Sequence, residues 1–302
     1  MKLKQLTPFK KYHRLLMAIL MMFVCTSSYA NFELPGVKNA QRIIALSPHS
    51  VELLFALGVG DRVIGTTEFA DFPEAANKIE RIGGYHGLQT ERIVELQPDL
   101  IVAWEGGNRS EDLDLIEKLE LPIYRSETKR LRHIAVEIEA LGQLTGTQQQ
   151  AKKLIQAFNQ ALDILTEKNK DKAQVSFFYQ LWSAPIRTIS TGSWINEMLE
   201  ICGGKNIIND PNVDYPQISL ENVLLNNPQA IIIPSSHGHD NGKLSGLKWE
   251  EWPEIPAVKN KHIYRINGDI LHRFSLRTIE ATQTLCKTFD GIRAATEKQA
   301  GA

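Results

Sequence analysis

One stretch of the chain places metal- and proton-handling residues at short spacing. His237-Gly238-His239-Asp240 offers two imidazoles and a carboxylate in a polar, Gly-rich run. Such a set could ligate a metal ion or serve a secreted hydrolase. His49, His86 and His272 stand near predicted strand ends, where open α/β sheets hold ligands. No two histidines share a helix face at i,i+4 spacing, so no metal site is expected. The chain has no G-x-S-x-G, no H-E-x-x-H and no phosphate-binding G-x-x-x-x-G-K-[ST]. Gly58-Val59-Gly60 precedes a predicted strand instead of following one, which removes the dinucleotide reading. No acid–base pair is marked by spacing, so no catalytic residue is expected and the case for an enzyme is weak.

Aromatic side chains are the stronger signal. Phe69 and Phe72 follow one predicted strand, Tyr85 lies in Gly83-Gly84-Tyr85-His86-Gly87, and Trp104 precedes Glu105-Gly106-Gly107-Asn108. Trp182 and Tyr215 hold comparable places in the second half. Rings among glycines suit the apolar wall of a cleft better than a packed core.

The elements that must carry these rings alternate strand and helix. Arg42–Leu46, Arg62–Gly65, Leu100–Ala103 and Pro122–Tyr124 read as buried strands, with helices between them. Val175–Tyr179, Ala230–Ile233 and Ile263–Ile266 repeat the pattern, and a terminal helix is predicted over Phe274–Ile292. Between the halves, Thr147 to Lys170 holds neither Gly nor Pro. Its apolar residues Ala151, Leu154, Ile155, Phe158, Leu162 and Leu165 step by three and four, the stripe of one long helix.

An internal echo links the halves. Glu91 to Val102 and Glu221 to Ile232 align at a constant offset of 130, each reading as a short helix that opens on Glu, a Pro-marked turn and a buried strand. The expected architecture is therefore α/β, two similar lobes joined by one long helix. The divisions fall at 1–30 for a leader, 31–146 for the first lobe, 147–172 for the connecting helix and 173–302 for the second lobe.

The leader is read from Lys2, Lys4, Lys10, Lys11 and Arg14, the apolar run Leu15–Val24, and the small-residue exit Ser28-Tyr29-Ala30. These are the three parts of a cleaved secretory signal, and the run is too short to span a membrane. Cys25 leaves a lipid-anchored alternative, although Phe23 and Val24 make a poor lipidation motif. The full chain has 34 basic and 35 acidic side chains; without the five basic residues of the leader its formal charge goes from -1 to -6. That balance gives no case for nucleic acid. Cys202 and Cys286 would remain in the exported chain, as a disulfide or as two buried thiols.

Several segments resemble the helical-backbone (class III) substrate-binding proteins of ABC importers, and within them the cobalamin-binding branch. They are Ile43–Pro48 with Glu52-Leu53, Glu91–Val94, Pro98–Trp104, Gly106-Gly107-Asn108, Leu199–Gly204 and Pro216–Ser219, and the likeness covers nearly all of residues 42–290. The Pro98–Ala103 strand marks only the class, being shared with haem and siderophore binders; Trp104 with Gly-Gly-Asn and the two cysteines are more specific.

The resemblance implies a periplasmic protein, monomeric when free, that carries cobalamin as cargo and uses no cofactor. It implies delivery to a dimeric permease with its ATPase subunits. The implied ligand contacts are Phe69, Tyr85, Trp104, Tyr215 and the run Asp269, Ile270, Leu271, His272, Arg273. Phe69 stands for a tyrosine, Tyr85 and Tyr215 for tryptophans, and Ile270-Leu271 for an aromatic pair. The resemblance also implies a Cys202–Cys286 disulfide and permease docking through Glu91 and Glu221. A haem or iron-siderophore binder of the same fold is the alternative, with Tyr85, Tyr215 and His272 as iron ligands.

Overall fold

Short runs of consecutive buried apolar residues, Ile43-Ile44-Ala45 and Leu100-Ile101-Val102-Ala103, build strands covered on both faces, as parallel sheets require. The computed structural model describes Leu34, residues 36–235 and residues 247–301. The leader with Cys25, and His237, His239 and Asp240, lie outside the described residues.

The first lobe runs β1 (Ile43–Ala45), α1 (Pro48–Ala56), β2 (Val63–Thr66), the small hairpin β3 (Gly83–Gly84) and β4 (Gly87–Leu88), α2 (Thr90–Glu95), β5 (Leu100–Trp104), α3 (Ser110–Lys118), β6 (Ile123–Ser126) and α4 (His133–Thr145). The long helix α5 (Gln148–Asn169) follows. The second lobe holds β7 (Val175–Tyr179), the hairpin β8 (Trp182–Ser183) and β9 (Ile186–Arg187), α6 (Trp194–Ile201), β10 (Gly204–Asn206), α7 (Leu220–Asn226), β11 (Ala230–Ser235), α8 (Pro256–Lys259), β12 (Ile263–Asn267), α9 (Gly268–Leu271) and α10 (Thr278–Ala300).

The two main sheets have the orders β2-β1-β5-β6 and β10-β7-β11-β12, parallel throughout. Strand for strand these are one topology used twice. The echo extends to backbone detail: Gln97 and Asn227, 130 residues apart, both take left-handed conformations (φ 46° and 44°) between helix and strand. The fold is thus two α/β lobes, as the alternation predicts.

Helix α5 spans about 33 Å at 1.5 Å per residue. Ala151, Phe158, Leu162 and Leu165 are buried on it, while Leu154 and Ile155 are partly covered. It packs on α4 at one side and on α6 and α10 at the other. A single apolar cluster accordingly runs from Ile43 and Leu54 in the first lobe through Phe158 to Phe177 and Phe289 in the second.

Cys202 and Cys286 form a disulfide that ties the end of α6 to α10 across 84 residues. The terminal helix begins at Thr278, four residues after the predicted start at Phe274, and continues to Ala300. Ser275 explains the delay, because its hydroxyl reaches the first lobe, donating to Glu52 Oε2 at 2.6 Å, and its carbonyl accepts from the Thr278 side chain.

Candidate ligand-binding cleft

Parallel strands end on the same edge, so each sheet gathers its loops at its C-terminal rim. The first lobe presents the loops after β1, β2, β5 and β6 and the β3–β4 hairpin; the second presents those after β7, β10, β11 and β12.

The lobes meet through Arg273. Its Nη1 donates to Glu52 Oε1 at 3.0 Å and Asp71 Oδ1 at 2.7 Å, and its Nη2 to the Phe69 carbonyl and Asp269 Oδ1, both at 3.1 Å. Arg277 adds a second bond to Glu52 Oε1 at 3.1 Å and lies over the Phe72 ring at 4.1 Å. The Glu52 side chain is only 3% exposed, and two guanidiniums and one hydroxyl saturate it. A carboxylate so deeply buried requires such partners. Partial burial acts to raise the Asp71 carboxyl, but the Arg273 hydrogen bond and the charges of Arg273 and Arg277 bring it below the ordinary range.

Further contacts close the floor. Arg130 pairs with Glu197 at 2.7 Å, and the Leu131 N–H donates to the same carboxylate at 3.0 Å. Rings run continuously from lobe to lobe: Trp104 to His49 (centroids 5.1 Å apart), His49 to Phe274 (5.9 Å) and Phe274 to Trp194 (4.1 Å). Burial, reinforced by the charge of Arg273, lowers His49 to about 3, so this imidazole is neutral.

The glycines beside Trp104 have a steric purpose. A Cβ on Gly107 would lie inside the Trp104 ring, so only glycine lets the indole fold over this loop. Asn108 fixes the loop by accepting from Trp104 N at 2.7 Å and donating to the Leu46 carbonyl at 2.8 Å. The hairpin bearing Tyr85 needs Gly83 and Gly87 at φ 137° and 145°. It holds Tyr85 72% exposed, its ring 3.8 Å from that of His86.

The expected contact residues divide into two groups. Phe69, Tyr85 and Tyr215 stand on rim loops with exposed rings, and Trp104 ends strand β5 at the same rim with its side chain half-buried. Phe69 has a left-handed backbone (φ 64°), unusual for a bulky side chain, with its carbonyl held by Arg273. Ile270 and Leu271 are 5% and 0% exposed and pack into the second lobe's core, so they offer the cleft no surface. Asp269, His272 and Arg273 line a cavity of about 280 Å³ with Ser235 and Gly268, closed on its apolar side by Leu181, Trp182 and Pro234. His272 Nε2 lies 2.8 Å from the Tyr179 hydroxyl, and burial lowers the imidazole to about 4 against the opposing charge of Asp269. Burial also keeps the Tyr179 hydroxyl protonated.

Sequence reading missed Glu52, Asp71, Ser275 and Arg277. The one available signal was a carboxylate inside the apolar run Val51-Glu52-Leu53-Leu54. Among the described residues no group of three or more His, Cys, Asp or Glu side chains is placed to hold a metal ion. Glu91 and Glu221 are exposed in the first turns of α2 and α7. Each helix runs back to the start of the strand it feeds, so both carboxylates lie toward the loop-bearing rim of their sheets.

Two parallel sheets, joined by a long helix and meeting at their ligand-bearing rims, define a substrate-binding protein of the two-lobed type. The chain belongs to the periplasmic binding protein family, whose model matches residues 43–270. It is similar to the vitamin B12-binding protein of Vibrio campbellii, 38% identical over 255 residues that cover 84% of this chain and 91% of the relative. The vitamin B12-binding protein of Vibrio vulnificus is 37% identical over 253 residues, covering 83% of this chain and 91% of that protein. Among solved structures, the periplasmic vitamin B12 binding protein BtuF of Vibrio cholerae superposes with a TM-score of 0.76 at 35% identity, over 84% of this chain and 98% of its own. The periplasmic heme-binding protein RhuT from Roseiflexus shares the fold, with a TM-score of 0.73 at 20% identity over 84% of this chain and 99% of its own.

Proposed function

We propose that this chain is a periplasmic carrier that captures cobalamin between its lobes and passes it to an ABC importer. The observation carrying the reading is the set of solvent-accessible rings at the strand ends of both lobes, exposed Phe69 and Tyr85 with half-buried Trp104 in the first and exposed Trp182 and Tyr215 in the second, above a floor already fixed by ion pairs. Flat apolar walls suit a large, rigid macrocycle, and a floor that needs little rearrangement limits the entropy lost on binding. The 280 Å³ cavity is too small for a macrocycle and fits one peripheral side arm.

In this reading the rings contact the corrin, Asp269 and His272 meet its periphery, and Arg273 fixes the lobes. Ile270 and Leu271 support that segment from behind. The ligand is cargo, no step of chemistry is performed on it, and the free protein is a monomer. The leader, cut after Ala30, directs the chain to the periplasm. Glu91 and Glu221 dock the loaded protein onto a dimeric permease that works with its ATPase subunits. Of the iron ligands in the haem or siderophore alternative, His272 already has its Nε2 engaged by Tyr179.

Calorimetric titration of the mature protein with cyanocobalamin tests the reading. Binding at micromolar concentration or below is expected; no heat there, with a spectral change on haem addition, would replace cobalamin by the alternative.

A further inference from the structure

Arg273 is the one cationic side chain among the described residues that line the 280 Å³ cavity. All four of its Nη hydrogens are already committed, to Glu52, Asp71, Asp269 and the Phe69 carbonyl. Asp269 is in the opposite condition. Its Oδ1 receives Arg273, its Oδ2 makes no hydrogen bond among the described residues, and its side chain is 30% exposed toward the cavity. His272, on the same wall, is neutral because of its burial and adds no positive charge. The ionic group around the floor sets two guanidiniums, Arg273 and Arg277, against three carboxylates, Glu52, Asp71 and Asp269. A ligand arm entering here meets a spare acceptor oxygen and a surplus of one negative charge.

We propose that Asp269 is a specificity-determining residue that selects a carboxamide over a carboxylate on the ligand's periphery, its free oxygen accepting an amide N–H. The inference rests on the cobalamin reading, because the corrin of cobalamin carries primary amides around its edge where haem carries carboxylates. An amide there makes a charge-assisted hydrogen bond. A carboxylate of the same size offers no donor and brings like charges together in a partly dry site, a penalty that hydrophobic walls do not impose. The rings accept any flat macrocycle, whereas Asp269 rejects the acidic ones.

Mild acid hydrolysis of cyanocobalamin yields three monocarboxylic acids, each with one propionamide converted to a propionate. Separated and titrated at neutral pH, one of the three is expected to bind at least about tenfold more weakly than cyanocobalamin, the scale of a lost charged hydrogen bond. In Asp269→Asn that ratio falls to within about threefold, and in Asp269→Glu, which keeps the charge, it persists. The readout is a ratio on one protein, so a general loss of affinity in either variant does not imitate the effect. Equal binding of all three acids and cyanocobalamin to the wild-type protein would overturn the proposal, as would an unchanged ratio in Asp269→Asn. Failure of cyanocobalamin itself to bind removes the underlying reading, an outcome distinct from equal binding of acid and amide.

Discussion

Arg273 Nη1 lies 3.0 Å from Glu52 Oε1, joining positions 221 residues apart and two lobes that otherwise share no sheet. Both side chains are nearly excluded from solvent, so each makes the other's burial tolerable. The relationship sets how the rims face each other, and with them every ring of the cleft.

Glu52→Ala should therefore cost about 3–5 kcal/mol, the range for a buried pair broken on one side. Chemical denaturation monitored by tryptophan fluorescence measures it. A loss below about 1 kcal/mol would mean that water or a rotated carboxylate replaces Glu52.

Acid should weaken the fold through two histidines. His49 and His272 have folded values of about 3 and about 4, below their ordinary value near 6.5. The unfolded chain then binds more protons below pH 6.5. Their contribution is fully present above that value and is lost as pH falls through 6.5 toward 4 and then 3. Each histidine adds a slope of up to about 1.4 kcal/mol per pH unit in its window. Replacing the imidazole in His272→Gln should flatten the stability profile between pH 6 and 4.5, as followed by denaturant midpoints at each pH; an unaltered slope would show that His272 is protonated in the native protein.

The Cys202–Cys286 bridge closes a chain segment of 84 residues. Cys202→Ser with Cys286→Ser should lose about 2–4 kcal/mol, chiefly because the unfolded chain gains freedom. Thermal unfolding of the double variant beside the wild type tests this; an unshifted transition would argue that α5 and the shared apolar cluster already hold α6 to α10.

Glu91→Ala with Glu221→Ala should leave cyanocobalamin affinity unchanged, since both carboxylates lie on helices outside the ring-lined cleft. Permease binding should weaken and uptake should stop, and docking of the wild type should decline with added salt as rim charges are screened. Normal uptake by the double variant would reduce the two glutamates to helix-starting residues.

The sequence by itself determined what depends on neighbours along the chain. Burial on both faces makes parallel strands read as short apolar runs, and α5 declares itself by spacing over 22 residues. The repeat at offset 130 reached as far as the paired left-handed turns at Gln97 and Asn227, because a turn is specified by the few residues around it. The solvent-accessible placement of Tyr85 and Trp104 was legible for the same reason, since both stand beside glycines that local geometry requires. Tertiary structure alone decided which residues of the run 269–273 face outward: Ile270 and Leu271 turn into the core, Arg273 spans to the other lobe, and Asp269 has one oxygen without a hydrogen bond among the described residues. That division depends on Glu52 and Asp71, far earlier in the chain, and a charge pair formed only through folding does not name its partner in the sequence: the carboxylate inside the apolar run Val51–Leu54 is a local sign, and nothing near it points to Arg273.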